Sequence, residues 1–267
     1  MNYPGLTFIK LGGSLITDKN QPLTAKPERI RQIALEIAQA RQEHIDIPLL
    51  IGHGSGSFGH AVANEFQTQE GGEGKAYWKG FIEVWLAARQ LNQIVIEICH
   101  QAGLPVIAFP PSAGVISKDK DFVSWDLRPM QFALSQNLIP VVQGDVIFDY
   151  EIGGTIFSTE KIFQFLCSTF FPERILLAGL DEGVYCNPQN PDEVVPRITP
   201  ANFEDLRPVV SGSEAADVTG GMLAKVELML ALVKAHPAMQ IQIFSGMKPG
   251  NIKKALAGEV FGTIISQ

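Results

Sequence analysis

Short apolar segments alternate with longer segments of helical periodicity along most of the chain. Strands are predicted at 6–10, 48–52, 105–109, 139–142, 146–150, 174–179, 241–245 and 262–266. Helices are predicted at 28–43, 59–66, 78–102, 128–136, 160–170 and 222–236, with a short helix before the last strand. Strands that are almost entirely apolar are expected where helices cover both faces of a mainly parallel sheet, so the pattern predicts an α/β fold. Residues 187–200, rich in Pro and Asn, are predicted to form a surface excursion between two lobes.

Length and charge narrow the classes of partner. The chain has 267 residues, of which 46% are hydrophobic, and a formal net charge of −7. This length accommodates either one large α/β unit or two tightly joined lobes. Because no block is rich in Lys or Arg, neither a nucleic acid nor an anionic membrane surface is expected as the main partner. No apolar stretch approaches the roughly 18 to 20 residues that cross a bilayer.

The location of the protein is predicted from its first residues and its cysteines. Lys10 and the two glycines after Leu11 interrupt the segment where a secretion signal needs an apolar core. Cys99, Cys167 and Cys186 are odd in number and widely spaced, which fits neither a disulfide framework nor a zinc site. We therefore expect a reduced cytoplasmic protein.

Two glycine-rich loops follow predicted strands. The first strand continues into Leu11-Gly12-Gly13-Ser14, and the second continues into the loop 53–60, which reads HGSGSFGH. Open α/β sheets bind ligands at the carboxyl ends of their strands, and glycine allows backbone N–H groups to approach phosphate oxygens closely. The sequence therefore predicts two anion-binding loops at one edge of the sheet.

Two other phosphate-binding classes are disfavoured. Gly54, Gly56 and Gly59 match the spacing of a dinucleotide-binding loop, which requires an acidic residue at the end of the next strand about 20 residues later. Only Glu70 and Glu73 lie in that region, within a glycine-rich segment that ends no strand. The spacing G-x-x-x-x-G-K-[ST] of a P-loop is absent from the sequence.

Three lysines accompany the loops. Lys10 ends an apolar strand, where a charge is costly unless it is paired, and a phosphate is a suitable partner. Lys225 follows the turn at 219–221, whose N–H groups would lie at a helix N-terminus. Lys19 follows the first loop and taken alone is equally well explained as a solvated side chain.

The histidines divide into two groups. His44, His100 and His236 fall at the ends of predicted helices, where a cation is favoured by the helix dipole, so we interpret them as structural. His53 and His60 instead flank the second glycine loop. Their position makes them candidates for a functional role.

Together these motifs resemble a known family. The segments KLGGSLITDK (10–19), GHGSGSFGH (52–60), QGDVIFD (143–149), AGLDEGVY (178–185) and TGGMLAK (219–225) are similar to the amino acid kinase superfamily, and within it to the isopentenyl phosphate kinases. The histidine that follows the second loop is the more selective mark, and it is shared with the fosfomycin kinases. The resemblance implies a three-layer αβα sandwich around an open, mainly parallel sheet of about eight strands. It also implies an N-terminal lobe, 1–170, that binds the phosphoryl acceptor and a C-terminal lobe, 171–267, that binds ATP.

The resemblance also implies roles for individual residues. Catalysis is assigned to Lys10, Lys19, His60 and Lys225; acceptor binding to Ser55, Gly59, His60 and Gly154; and ATP binding to Lys10, Gly12, Gly13, Ser14, Gly56, Asp181, Gly183, Tyr185, Gly221 and Lys225. Asp145 resembles the acidic residue that orients the first lysine. Ser55 departs from the glycine of many members; we expect tolerance, but its hydroxyl could alter the acceptor pose. No residue is assigned as a metal ligand.

The implied reaction suits these residue types. A phosphate monoester has a second pKa of about 6, so the attacking oxygen is already anionic near neutral pH and needs no general base. The task is to position two anions and to stabilise the transferred group, which lysines, N–H groups, Mg²⁺ and a histidine donor can do. We expect ATP-dependent phosphorylation of isopentenyl phosphate to isopentenyl diphosphate, with ATP and Mg²⁺ as cofactors, by a homodimer. The alternatives are phosphorylation of fosfomycin or another small phosphate or phosphonate, and a nucleotide-binding sensor without catalysis.

An aromatic stripe on one helix has two interpretations. Trp78, Phe81, Ile82 and Trp85 recur at helical spacing within 78–102, which predicts one apolar face. Core packing is the default explanation of such a face. The other is that part of the face lines a pocket for a prenyl tail, because a tail without polar groups needs an apolar, closed site.

Overall fold

The computed structural model describes residues 3–43, 47–66, 68–187, 190–211 and 221–267, without the side chains of 60–62, 64, 65, 190–192 and 211. His44 lies outside the described residues. No helix in the described ranges is both long enough and apolar enough to cross a membrane.

The elements largely follow the predicted alternation of strands and helices. The strands are β1 (Thr7–Leu11), β2 (Leu49–His53), β3 (Val106–Ala108), β4 (Ile116–Lys118), β5 (Asp121–Ser124), β6 (Ile139–Gln143), β7 (Asp145–Asp149), β8 (Gly153–Phe157), β9 (Arg174–Gly179), β10 (Tyr185–Asn187), β11 (Asn190–Val194), β12 (Arg197–Ile198), β13 (Gln240–Ser245) and β14 (Thr263–Ile265). The α-helices are α1 (Gly13–Ile16), α2 (Pro27–Glu43), α3 (Gly56–Phe66), α4 (Gly74–Gln101), α5 (Arg128–Ser135), α6 (Thr159–Phe170), α7 (Phe203–Ser211), α8 (Gly221–Ala235) and α9 (Asn251–Leu256).

Eight strands form the central sheet, in the order β12-β14-β13-β9-β1-β2-β6-β3. All neighbouring pairs in this sheet are parallel except β13 and β14. Strands β1, β2, β3 and β6 fill one half, and β9 with β12 to β14 fills the other. The assignment of the two lobes to acceptor and ATP stays a prediction.

Helices cover both faces of this sheet. Phe8 of β1 packs with apolar side chains of α5, α6 and α8, whereas Ile9 and Leu11 pack with those of α2, α4 and α9. Successive side chains of a strand point to opposite faces, so one strand contributes to both layers. The predicted three-layer αβα sandwich with an eight-stranded, mainly parallel sheet is confirmed.

A second sheet lies outside the predicted pattern. Strand β7 was predicted as a strand of the main sheet, but it belongs to a four-stranded sheet of order β5-β4-β7-β8. It pairs parallel with β4 and antiparallel with β8. This sheet is not fully covered by helices, because Phe148 remains 45% exposed. Strands β4 and β5 are too short and too polar for the apolar pattern to reveal them.

The segment 187–200 is only partly a surface excursion. Its first part completes a hairpin in which β10 and β11 pair antiparallel. Arg197 and Ile198 then pair with β14 at the edge of the central sheet, and Ile198 is fully buried. A two-residue strand is too short for the sequence pattern to predict.

Candidate active site

A cleft of about 980 Å³ opens at the carboxyl ends of the central strands. Strands β1 and β2 are parallel neighbours, so the loops that follow them leave the sheet at the same edge. Most of the predicted site residues line this one cleft: Lys10, Gly12, Gly13, Ser14, Lys19, Ser55, Gly56, Gly59, Asp145, Asp181, Gly183, Tyr185, Gly221 and Lys225. The fold therefore brings the two glycine loops, three lysines and the start of α8 to a common space.

The two glycine loops touch through their backbones. A Cβ atom built on Gly13 would lie 2.6 Å from the Cα of Gly56, and one built on Gly54 would lie 2.9 Å from the backbone N of Gly13. No real Cβ tolerates such distances from a backbone atom. Gly54 N also donates to Leu11 O at 3.0 Å, which joins the second loop to the end of β1. Glycine is thus required here by the close approach of the loops as well as by access to phosphate.

Lys10 pairs with Glu160, the second residue of α6. The side chains of the two residues are only 13% and 10% exposed. Burial alone would raise the pKa of the Glu160 carboxyl, but the charges of Lys10 and Lys225 and the hydrogen bond from Lys10 lower that pKa below its usual value. One ionised carboxylate therefore interacts with two cations of the cleft, Lys10 at the end of β1 and Lys225 on α8.

Glu160 lines the cleft but is not among the residues predicted from the sequence. The sequence pattern near it is a helix start. Ser158 caps α6 by accepting a hydrogen bond from Lys161 N at 3.2 Å, and an acidic residue follows in the first turn. Such a start is typical of helices whose N-terminus follows a strand. The pattern locates the helix end but does not show that the carboxylate faces a lysine 150 positions away.

Asp145 was predicted to orient Lys10. Its carboxylate accepts hydrogen bonds from Ser112 N at 3.1 Å, Gln143 Nε2 at 3.3 Å and its neighbour Val146 N at 2.9 Å. Burial raises the pKa of Asp145 to about 6, although the bonds from Ser112 and Val146 act to lower it. Lys10 bonds to the carboxylate of Glu160, and orientation of the lysine by Asp145 stays a prediction.

His60 and Gly154 were also predicted to contact the acceptor. The backbone of His60 lies in α3, but its side chain is outside the described residues. Gly154 lies on β8 against Phe81 and Tyr77, where an added Cβ would be 2.8 Å from the Tyr77 hydroxyl oxygen. It is the following residues Thr155 and Ile156 that line the cleft. Contact of His60 and Gly154 with the acceptor stays a prediction.

One end of the cleft is lined by small and apolar side chains. Ala63, Val84, Ala88 and Ile156 contribute to its wall. The aromatic side chains of the α4 stripe do not line the cleft themselves. Trp78, Phe81 and Trp85 pack in one apolar cluster with Val84 and Ile156, which do line it.

Ile82, the fourth member of the stripe, is 52% exposed. Core packing therefore accounts for Trp78, Phe81 and Trp85, which lie behind the cleft wall, but not for Ile82. On the same helix, Val84, which lies within the span of the stripe, and Ala88, one turn later, line the cleft.

The opposite end of the cleft is also apolar. It is lined by Leu180, Val184, Val210 and Met222, together with the ring of Tyr185. Thus the cleft has a cationic centre and two apolar ends. This arrangement can accommodate two phosphate-bearing molecules placed end to end, with their anionic groups at the centre.

Two further lysines line the cleft and were not predicted. Lys161 donates a hydrogen bond to the backbone carbonyl of Lys120, and its Nζ lies 4.2 Å from the centroid of the Phe157 ring. Burial lowers the pKa of Lys161. The turn that carries Lys120 is fixed by Asp149, whose carboxylate accepts hydrogen bonds from Asp119 N at 3.0 Å and Lys120 N at 2.8 Å.

The side chain of His53 is held inside the fold by contacts with its neighbours. The ring is fully buried, with Nε2 3.0 Å from Asn92 Oδ1 and Nδ1 3.2 Å from Gly54 O. Burial lowers the pKa of His53 although these contacts act to raise it, so the ring is neutral at physiological pH. Its position beside Lys10 makes a second positive charge unfavourable there.

The family follows from a comparison over most of the chain. Residues 5–245 match the Amino acid kinase family. The chain belongs to the amino acid kinase family. It is 34% identical to isopentenyl phosphate kinase of Methanocaldococcus jannaschii over an alignment of 268 positions, which covers 97% of this chain and 98% of the other. It is 30% identical to isopentenyl phosphate kinase of Methanothermobacter thermautotrophicus, with 98% and 99% covered.

Solved structures agree with this family. A crystal structure of isopentenyl phosphate kinase superposes with a TM-score of 0.82 at 28% identity, covering 98% of this chain and all of the other. The product complex of the T. acidophilum isopentenyl phosphate kinase superposes with a TM-score of 0.77 at 25% identity, with 97% and 99% covered. The predicted membership of the amino acid kinase superfamily is therefore confirmed.

Proposed function

We propose that this amino acid kinase transfers the γ-phosphoryl group of ATP to isopentenyl phosphate and produces isopentenyl diphosphate and ADP. The observation that carries the proposal is the two-ended cleft, with lysines and glycine loops at its centre and a small apolar pocket at one end. Full-length similarity to enzymes named isopentenyl phosphate kinase supports the same substrate.

The reacting groups need positioning more than proton transfer. A phosphate oxygen of the acceptor forms the new bond to the γ-phosphorus while the bond from that phosphorus to the oxygen bridging to the β-phosphate breaks, and ADP leaves with that electron pair. The acceptor oxygen is anionic near neutral pH, so the reaction needs no catalytic base to remove a proton from it. Lys10 and Lys225 stabilise the charge that spreads over the transferred group.

Each glycine loop has one anion to bind. Gly13 and Ser14, at the start of α1, offer N–H groups to the phosphates of ATP, and Ser55 offers its N–H to the acceptor phosphate. The N–H groups of Gly12 and Ser57 instead donate to Ala178 O and Thr17 Oγ1. Lys19 supplies a further cation on the side of the first loop, and His60 a donor to the acceptor. Glu160 pairs with Lys10, and its negative charge also attracts Lys225.

Mg²⁺ fits this centre as a companion of the nucleotide. Among the described residues no group of three or more His, Cys, Asp and Glu side chains is arranged to bind a metal. Magnesium in kinases is bound by substrate phosphates with one or two carboxylates, and Asp145, Glu160 and Asp181 are carboxylates of the cleft. When bound, Mg²⁺ neutralises phosphate charge.

The apolar end selects the acceptor by volume. Ala63 and Ala88 leave room beside Val84 and Ile156 for a short branched hydrocarbon tail. An apolar pocket discriminates among tails by about 1–3 kcal/mol for each methylene that it accommodates or excludes. Longer prenyl phosphates should therefore react more slowly.

The test is incubation of the protein with Mg-ATP and a panel of acceptors, followed by ³¹P NMR of the products. We expect a diphosphate from isopentenyl phosphate and little or no product from fosfomycin. Product from fosfomycin alone would overturn the proposed substrate, and no product from any acceptor would indicate a nucleotide-binding sensor. The His60→Ala variant should lose acceptor phosphorylation and still bind ATP, which calorimetry measures.

We also propose that the protein acts as a cytoplasmic homodimer, a proposal supported by family resemblance. Light scattering after size exclusion should give twice the chain mass of 29.1 kDa. A monomer at micromolar concentration would contradict it.

A further inference from the structure

A buried hydroxyl joins the two glycine loops. Thr17 follows α1 and is fully buried. Its Oγ1 donates to the carbonyl oxygen of Gly13 at 2.8 Å and accepts from the backbone N–H of Ser57 at 3.0 Å. Gly13 belongs to the first loop and Ser57 to the second. A single side chain therefore bonds to both anion-binding loops; we refer to Thr17 with these two hydrogen bonds as the Thr17 junction.

The surrounding backbone leaves this hydroxyl little freedom. Gly56 has φ +49, and a Cβ at this position would lie 2.6 Å from the Gly13 carbonyl oxygen, the same oxygen that Thr17 bonds. Gly13, Gly56 and Thr17 thus occupy one tightly packed volume. Interiors packed this closely transmit small displacements instead of absorbing them. The backbone N of Thr17 also donates to Gly13 O at 2.9 Å, so Thr17 stays joined to the first loop without its hydroxyl. Loss of the bond from Ser57 N should therefore change the separation of the loops.

The junction also anchors the segment that carries Lys19. Thr17 forms an antiparallel bridge with Ala25, and Asp18 N donates to Thr24 O at 2.8 Å, so residues 18–24 leave and return at the same place. Ser57 contacts the returning end, because its Oγ lies 3.4 Å from both the N and the O of Thr24. Lys19 lines the cleft from this segment. Both loops and the Lys19 segment therefore meet at Thr17 and Ser57.

We infer that Thr17 is a positioning residue for phosphoryl transfer, which fixes the distance between the donor and acceptor phosphates. The inference rests on the proposed function. Thr17 is not among the residues that line the cleft, so it acts through the loops. In-line transfer requires the attacking oxygen and the γ-phosphorus to lie about 3–3.5 Å apart, and an error of about 1 Å can cost about 10²-fold in rate. Binding of each substrate alone depends on one loop and is far less sensitive to the separation.

The kinetic test compares Thr17→Val, which keeps the shape and removes the hydroxyl, with Thr17→Ser, which keeps the hydroxyl. We expect kcat of Thr17→Val to fall by about 10²-fold, with the KM values for ATP and isopentenyl phosphate nearly unchanged, and Thr17→Ser to regain most of the rate. Thr7→Val is the matched control, because Thr7 is equally buried and its hydroxyl bonds Gly5 O at the other end of β1. Wild-type kcat in Thr17→Val, or KM values that rise while kcat is retained, would overturn the inference.

A second measurement does not depend on turnover. Hydrogen exchange should be faster in peptides covering 54–59 of Thr17→Val than in those of the wild type, and should be restored in Thr17→Ser, because the Ser57 amide has lost its acceptor. If Thr17→Val does not fold, Thr17→Cys replaces it, since a thiol is a weak donor of similar size. Unchanged exchange would contradict the junction itself. Failure of the wild type to phosphorylate isopentenyl phosphate, with the exchange result as expected, would instead reject the proposed function.

Discussion

The buried carboxyl group of Asp145 makes folding stability depend on pH in a defined direction. Burial raises its pKa from 3.8 to about 6. A carboxyl whose pKa is higher in the folded state than in the unfolded state binds more protons when folded. Its contribution to stability is therefore complete below pH 3.8 and is lost as the pH rises through about 6. Asp145→Asn removes this titration, because an amide stays neutral throughout.

The size of the effect follows from the two pKa values. The full difference of about two pH units corresponds to about 3 kcal/mol of unfolding free energy. At pH 5 the folded carboxyl is mostly protonated and the unfolded one mostly ionised, which leaves about 1.4 kcal/mol of that contribution, and at pH 8 almost none remains. The stability of Asp145→Asn relative to the wild type should therefore increase by about 1.4 kcal/mol between pH 5 and pH 8.

Urea unfolding at several pH values, followed by fluorescence, measures this difference. Comparison at each pH cancels the titration of all other groups, provided that both proteins unfold in two states. Asp149→Asn is the control, since this carboxylate has a pKa below its usual value and is ionised in both states between pH 5 and pH 8. A free-energy difference between Asp145→Asn and the wild type that does not change with pH would refute an elevated pKa at Asp145.

Three other variants test individual contacts. Glu160→Gln should lower kcat by about 10²-fold, because the cleft lysines lose the carboxylate between them; steady-state kinetics will show this, and an unchanged rate would exclude a positioning role. Gly56→Ala should be destabilised by about 1–3 kcal/mol more than Gly74→Ala, since both have positive φ but only Gly56 is crowded; equal losses in urea unfolding would contradict the close approach. Asp149→Asn should lower the free energy of unfolding by about 3 kcal/mol at pH 7. The hydrogen bonds to Asp149 lower its pKa against the effect of burial, so the free-energy difference from the wild type should shrink as the pH falls below 3.8. A difference that stays constant with pH would argue against a lowered pKa at Asp149.

The central sheet was predictable because its strands are apolar on both faces. Helices cover both sides of β1, β2 and β9, so the sequence shows uninterrupted hydrophobic runs there. The second sheet was not predictable in the same way. Its strand β5 reads DFVS and is mostly exposed, and β4 has only three residues.

The candidate site was predictable where function depends on local sequence. Gly13 and Gly56 stand in loops directly after strands, and the structure brings these loops together as expected. Glu160, Lys120 and Lys161 could not be found in this way. Their proximity to the cleft depends on contacts across the fold, such as the bond from Lys161 to the carbonyl of Lys120, and no local pattern encodes such a contact.

The place of β1 in the sheet has a consequence for the order in which a newly synthesised chain can become active. Thr7 pairs with Leu49 on one side and with Arg174 on the other. The first partner leaves the ribosome early, but the second emerges only after most of the chain has been made, and Lys225 later still. Since long-range pairings form late, Lys10 gains its complete surroundings only near the end of synthesis. A nascent fragment therefore contains both glycine loops long before β9 and Lys225, which complete the cleft, have been made.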